Sequence, residues 1–309
     1  MTETTPDVVG EALVRAFADR GYEATLPDPT TVSIRMPDGS SLSADITEWR
    51  GYAGGNAPAA LPGIAADYAD QAAKAFARYA GHSQNEQPLP ASENLRVRLY
   101  TDEALGEMRD GLVTRRLAPG LLETVVADYP DSIMPLNRAD LAGAPENGVF
   151  GAALSLSIGK EPHYTETSAV QGVPVTHIGG THRYVSSHVH VLRRHVDPAS
   201  APYGALLSFP LPEYVLVHAI GGVHLFAAME AVQDLSRRLF EAGEKAISPQ
   251  VFWWRPGRYE QLPEEEALNS GLVPDLRPVG IEVDHRDMSV AALSPDTHEL
   301  IDLWMRDHG

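Results

Sequence analysis

The hydrophobic period changes at Gly221-Gly222, and that switch constrains the fold more than any other feature of the chain. Before it, Val185, Val189 and Val191 alternate with His188, His190 and Leu192, the period-2 pattern of a half-buried strand. The apolar runs Ala205–Phe209 and Tyr214–Val217 follow, separated by Pro210-Leu211-Pro212-Glu213, where proline lacks the N–H that a central strand must donate. After the glycines, Leu225, Met229, Val232, Leu235 and Leu239 recur at spacings of three and four. Glu230, Gln233, Asp234, Arg237 and Arg238 take the other side, which describes an amphipathic helix of about five turns. Gly243 suits its end. Val251-Phe252-Trp253-Trp254 reads as one more strand. Strand, strand, strand, long helix, strand over Tyr184 to Leu262 predicts an α+β fold with a mainly antiparallel sheet.

The rest of the chain divides around this core. Thr5-Pro6-Asp7 carries a hydroxyl N-cap, proline at the first helical position and an acid in the first turn. Val9, Leu13, Ala16 and Phe17 supply that helix with an apolar stripe. Strands are expected at Tyr22–Leu26, Thr31–Met36 and Ser41–Ile46, with a turn at Pro37-Asp38-Gly39-Ser40. A loop is expected over Gly51–Gly63 and a helix over Ile64–Ala80. These pieces form a small α+β domain, residues 1–81. Residues 82–94 are polar, contain proline and lack a period, as a linker does. A second α+β domain spans 95–262, and an acidic C-terminal extension spans 263–309.

Several fragments of the second domain have a familiar look together. They are a strand ending in Asp128, Pro130, Asp131, Ser132 and Ile133, a Ser186-Ser187 strand start, and an Ile247-Ser248-Pro249 lead-in to the last strand. Over about residues 95–262 the chain resembles the uncharacterised bacterial YtpQ-like family. That resemblance implies the α+β fold and carries no activity.

Composition excludes more than it assigns. The 309 residues carry a formal charge of −18, which argues against binding a phosphate backbone. Residues 260–309 hold twelve of the acids against three arginines, a charge distribution that suits a solvated surface. There are no cysteines, so disulfides, thiolate metal sites and cysteine nucleophiles are excluded. The N-terminal residues show no signal-peptide pattern and no run is apolar enough to span a membrane, so a cytoplasmic protein is expected. Three lysines among 24 basic residues, with abundant Ala, Pro and Gly, suggest a GC-rich bacterial coding sequence.

Two functional readings follow, and they belong to different classes. Phe252 and Trp254 share one strand face and Trp253 the other, so a sheet face left uncovered would present tryptophan. Trp253, Trp254 and Arg255 are then the residues for a protein partner, since Trp and Arg are enriched at binding hot spots. The leading expectation is a non-enzymatic protein-interaction protein without a cofactor. The alternative rests on histidine. His177, His182, His188, His190 and His195 fall close together, and His218 and His224 flank a later strand. On a strand, His188 and His190 would lie on one face about 6.5–7 Å apart in Cα, a spacing that can serve one metal. With a third ligand from His218, His224 or His177, a zinc-dependent hydrolase is the alternative. No HExxH or GxSxG motif supports either hydrolase class.

Overall fold

The structure, a computed structural model, describes residues 7–35, 41–83, 92–130, 132–222, 224–287 and 289–308. Its contacts divide the chain into two compact units, Met1–Glu86 and Gln87–Gly309. No helix among the described residues is long and apolar enough to cross a membrane.

In the first unit, helix α1 (Val8–Ala18) precedes strands β1 (Glu23–Asp28), β2 (Thr31–Arg35) and β3 (Ser41–Asp45), which pair antiparallel in that order. Helices α2 (Thr47–Gly54) and α3 (Leu61–Ser83) follow. Thr5, Pro6 and the turn expected at 37–40 lie outside the described residues. Asp7 is the N-cap, its side chain accepting from the Gly10 N–H at 2.9 Å. The loop expected over Gly51–Gly63 is mostly helical. The Asp45 carboxylate accepts the Thr47 N–H and starts a turn of helix before the glycines are reached, and Pro58–Ala60 forms a 3-10 turn. Leu13, Phe17, Val32, Ile34, Ile46, Ala65 and Ala69 close the core. The linker expected at 82–94 is taken up at its ends by α3 and by a 3-10 turn at Ser92–Asn94; residues 84–91 lie outside the described residues.

The second unit contains two larger sheets. The smaller holds β4 (Leu95–Thr101), β5 (Thr114–Ala118), β6 (Leu121–Tyr129) and β7 (Ser132–Pro135), with β6 paired to the other three. A short helix α4 (Asp102–Leu105), capped by Thr101, links β4 to β5, and α5 (Glu146–Gly159) follows β7. The hairpin β8 (His163–Val170) and β9 (Val173–Gly180) comes next, then β10 (Ala205–Ser208) and β11 (Tyr214–Ala219). After α6 (Leu225–Ala242) come β12 (Val251–Trp254), α7 (Glu264–Asn269) and β13 (Leu276–Val279). The larger sheet has the order β13-β12-β10-β11-β9-β8 with every pair antiparallel. A hairpin, β14 (Ile281–Asp284) and β15 (Ser289–Ala292), and helix α8 (Pro295–His308) complete the unit.

Side-chain alternation assigns the faces of the large sheet. Leu206, Leu216, Val251 and Trp253 face α6 and α8, packing with Met229, Val232, Leu300 and Trp304. Ala205, Leu207, Val215, Val217, Phe252 and Trp254 face the other way, toward Leu99, Leu117 and Leu121 of the small sheet. Between the sheets lies Val185–Arg194, which is a 3-10 segment and not the strand its valines imply. Both parities of that stretch, from Val185 to Leu192, are buried. A strand between two layers can bury both parities, as β12 does, but here the backbone winds into 3-10 turns with a break at Val191. Packing has overridden the β-branched preference.

The acidic residues 263–309 are not an appendage. They contribute β13 to the edge of the large sheet and α8 to its face, with Leu300 and Trp304 buried over Trp253. Trp304→Ala is therefore expected to lower unfolding stability by about 3–5 kcal/mol in urea titrations followed by tryptophan fluorescence. An unchanged midpoint would mean that α8 only rests on the surface.

Candidate metal centre and buried ion network

The 3-10 segment presents side chains in two directions, and each leads to a polar cluster. His188 and His195, seven residues apart, approach one another with His188 Nδ1 and His195 Nε2 3.2 Å apart. His163, the first residue of β8, completes the group; its ring centroid lies 4.0 Å from that of His188 and 6.0 Å from that of His195. One nitrogen from each ring falls within 4.8 Å of the other two. A tetrahedral zinc with bonds of about 2.0–2.1 Å sets neighbouring nitrogens roughly 3.3 Å apart, close to the His188–His195 separation. The third ring would have to draw inward. His188 is buried, His195 half-buried and His163 exposed, so the cluster sits at the surface with one anchored ligand.

The protonation states suit a cation. Burial, reinforced by the nearby imidazoles of His163, His195 and His182 and by the Arg194 guanidinium, pushes the His188 imidazole down to about 3. Burial, His163 and Arg194 push His195 down to about 4. Both rings are neutral near pH 7 and carry lone pairs. Thr165 Oγ1 lies 3.3 Å from His195 Nδ1 and orients that ring, while His188 Nε2 is buried with no hydrogen-bond partner among the described residues. An all-imidazole set favours zinc, copper or nickel over calcium or magnesium.

The other direction leads inward to Glu123. On β6, Leu121, Glu123 and Val125 share the inner face of the small sheet, so a carboxylate lies between two apolar clusters. Register places Arg115 directly across the ladder, and its Nε donates to Glu123 Oε2 at 2.8 Å. His190 Nε2 meets Glu123 Oε1 at 2.6 Å, and His190 Nδ1 meets the Tyr259 hydroxyl at 2.9 Å. The carboxylate can only accept, so Nε2 carries the proton toward it. The Arg115 guanidinium also covers the Phe150 ring at 4.4 Å. Desolvation alone would raise the Glu123 carboxyl. The charges of His190 and Arg115 and their hydrogen bonds outweigh it and hold the group at about 2. Burial pushes the Tyr259 hydroxyl up, so it stays protonated.

A cavity of about 290 Å³ lies beside Tyr259 and His190, lined also by Arg193, Trp254, Glu260 and Glu264. Its acidic groups already have partners. Glu260 accepts from Trp254 Nε1 and the Gly257 N–H, and Glu264 pairs with Arg194.

The expected metal trio is thus dispersed. His188 joins His163 and His195, and His190 belongs to the Glu123 network. His218, on the α6 face of the sheet, has its Nδ1 2.8 Å from the Pro174 carbonyl. The geometry that would have joined His188 to His190 required a strand, and the segment is 3-10. The expected partner surface is also internal. Trp253 is fully buried and donates to the Tyr203 carbonyl; Trp254 is buried in the opposite layer; Arg255 pairs with Glu299 on α8. The sequence reading missed His163 as a ligand because it lies 25 positions before His188, in a stretch without sustained period. Glu123 gave a usable signal: it is a carboxylate set inside the apolar run of the strand Leu121–Tyr129, well before the Asp128 that closes it.

Glu123→Gln is expected to cost about 3–5 kcal/mol, because it leaves the Arg115 guanidinium buried without a counter-charge. The native carboxyl is held below its ordinary 4.5, so its contribution is complete above that pH and is lost as pH falls toward 2. His188 and His195 are held below 6.5, so the metal-free protein is expected to lose stability as pH falls from 6.5 toward 4, where the unfolded chain takes up protons that the fold refuses. Urea midpoints at pH 7.5, 5.5 and 4.5 check both, with His195→Gln expected to flatten the upper window. No family model, curated protein or solved structure matches this chain, so the chemistry of the site rests on its own geometry.

Proposed function

We propose that this protein binds one divalent transition-metal ion of the zinc class through His163, His188 and His195, with a fourth position open to solvent. The observation that carries the reading is the convergence of three imidazole nitrogens within 4.8 Å, two of them on rings held neutral by burial. Three protein ligands with an open position are the pattern of zinc sites that bind water or substrate. Such a site can activate water, so a metal-dependent hydrolase is the enzymatic extension of the same reading. Metal binding is placed ahead of hydrolysis because the ligand group found among the described residues consists of imidazoles alone. A protein partner would have to use a surface other than Trp253-Trp254-Arg255, since both tryptophans lie in the chain's own core.

Zinc titration by calorimetry of untagged protein, with metal content measured after dialysis, tests the proposal. One equivalent per chain is expected. His188→Ala and His195→Ala are expected to weaken binding at least ~100-fold and His163→Ala about 10-fold or more, on the scale of losing a direct ligand. His285→Ala, at an exposed ring outside the cluster, should bind as the wild type does. Wild-type protein that takes up no zinc, or a His188→Ala variant that retains it, would overturn the proposal.

A further inference from the structure

The ligands come from separate stretches of chain, and something must hold those stretches in register. His163 opens β8, directly after Pro162; His188 and His195 belong to the segment that begins after Tyr184. His182 lies between them in the sequence and touches both. Its Nε2 is 3.1 Å from the Pro162 carbonyl, and its Nδ1 accepts the Tyr184 N–H at 3.1 Å. The carbonyl can only accept and the amide can only donate, so the partners fix a single neutral tautomer with the proton on Nε2. Both ring nitrogens are thereby committed to backbone, and His182 is withheld from the metal although it sits beside the cluster.

A glycine makes this placement possible. A Cβ at Gly180 would lie 2.9 Å from His182 Nε2 and 3.0 Å from Val185 Cγ2, so a larger residue would force the imidazole to shift from its place. The His182 ring also stacks on Tyr184, with centroids 5.7 Å apart and planes inclined by 21°. Ring, glycine and two backbone bonds together tie the start of β8 to the start of the 3-10 segment.

Resting on the metal-binding reading above, we propose that His182 is the positioning residue of the metal centre: a backbone clamp that sets His163 against the His188–His195 pair. It is not a ligand. Metal ligands are oriented by such outer contacts, whose loss typically weakens binding about 10–100-fold.

Zinc affinity of His182→Phe tests this, because phenylalanine keeps the stacked ring and removes both hydrogen bonds. The expected result is still one equivalent of zinc, bound about 10–100-fold more weakly. Gly180→Ala, which displaces the imidazole without removing it, should weaken binding in the same direction. His182→Gln, whose amide can both donate and accept, should recover part of the loss. A double-mutant cycle separates positioning from general destabilisation: in a His163→Ala background, His182→Phe should cost less than about 3-fold, whereas independent effects would multiply. If the wild type binds zinc and His182→Phe binds it within 2-fold, or if the two losses multiply fully, the clamp is overturned and the metal site stands. If the wild type binds no zinc, the site itself falls, and the clamp with it.

Discussion

A carboxylate placed on the apolar face of a sheet dictates the surroundings it can tolerate. Glu123 points into the layer between the two sheets of the second unit, where an unpaired charge would be prohibitive. Its partners arrive from different parts of the chain. Arg115 comes from the neighbouring strand, His190 from the wedged 3-10 segment, and Tyr259 reaches His190 from a turn beyond β12. Once His190 is bonded to Glu123, the rotation of its segment is set. Two residues earlier in the same segment, His188 emerges toward His195 and His163. The inner ion network thus bears on the outer histidine cluster through His188, which shares the 3-10 turn of His190 on the N-terminal side of a break at Val191.

That dependence explains which parts of the fold were legible in the sequence. The long helix α6 and the strands β10, β11 and β12 follow from local pattern: period, turn residues and proline breaks act over a few positions. The Tyr184–Val196 stretch did not follow. Its valines have strand propensity, yet it lies between two layers that bury both parities, and alternation reports a face only where one side meets water. The same mistake propagated to the site. His188 and His190 appear as neighbours on a strand face and in the fold point to different chemistry.

The tryptophan pair failed as a partner surface for a related reason. A strand with aromatics on both faces needs two covering layers. The small sheet and the 3-10 segment cover one face, and α6 covers the other together with residues 263–309, whose excess of acids reads as solvated surface. Leu276, Val279, Leu300 and Trp304 are interspersed among those acids at strand and helix spacings, and they bury while the carboxylates stay outside. Charge density told of the outer face of this segment and nothing of its inner one.

The arrangement has a consequence for the order of synthesis. Trp253 and Val251 lie on a sheet face whose cover includes Leu300 and Trp304, about fifty positions later in the chain. A ribosome that has released β12 has therefore left Trp253 with α6 over it but not yet α8, on a strand whose outer edge still lacks β13. Until residues near 304 emerge, the nascent unit carries an uncapped hydrogen-bonding edge beside a partly covered aromatic face, a combination prone to capture by another chain. The acids concentrated over 260–309 would then act in transit as well as in the finished fold, since each segment that leaves the tunnel brings like charge that keeps neighbouring nascent chains apart.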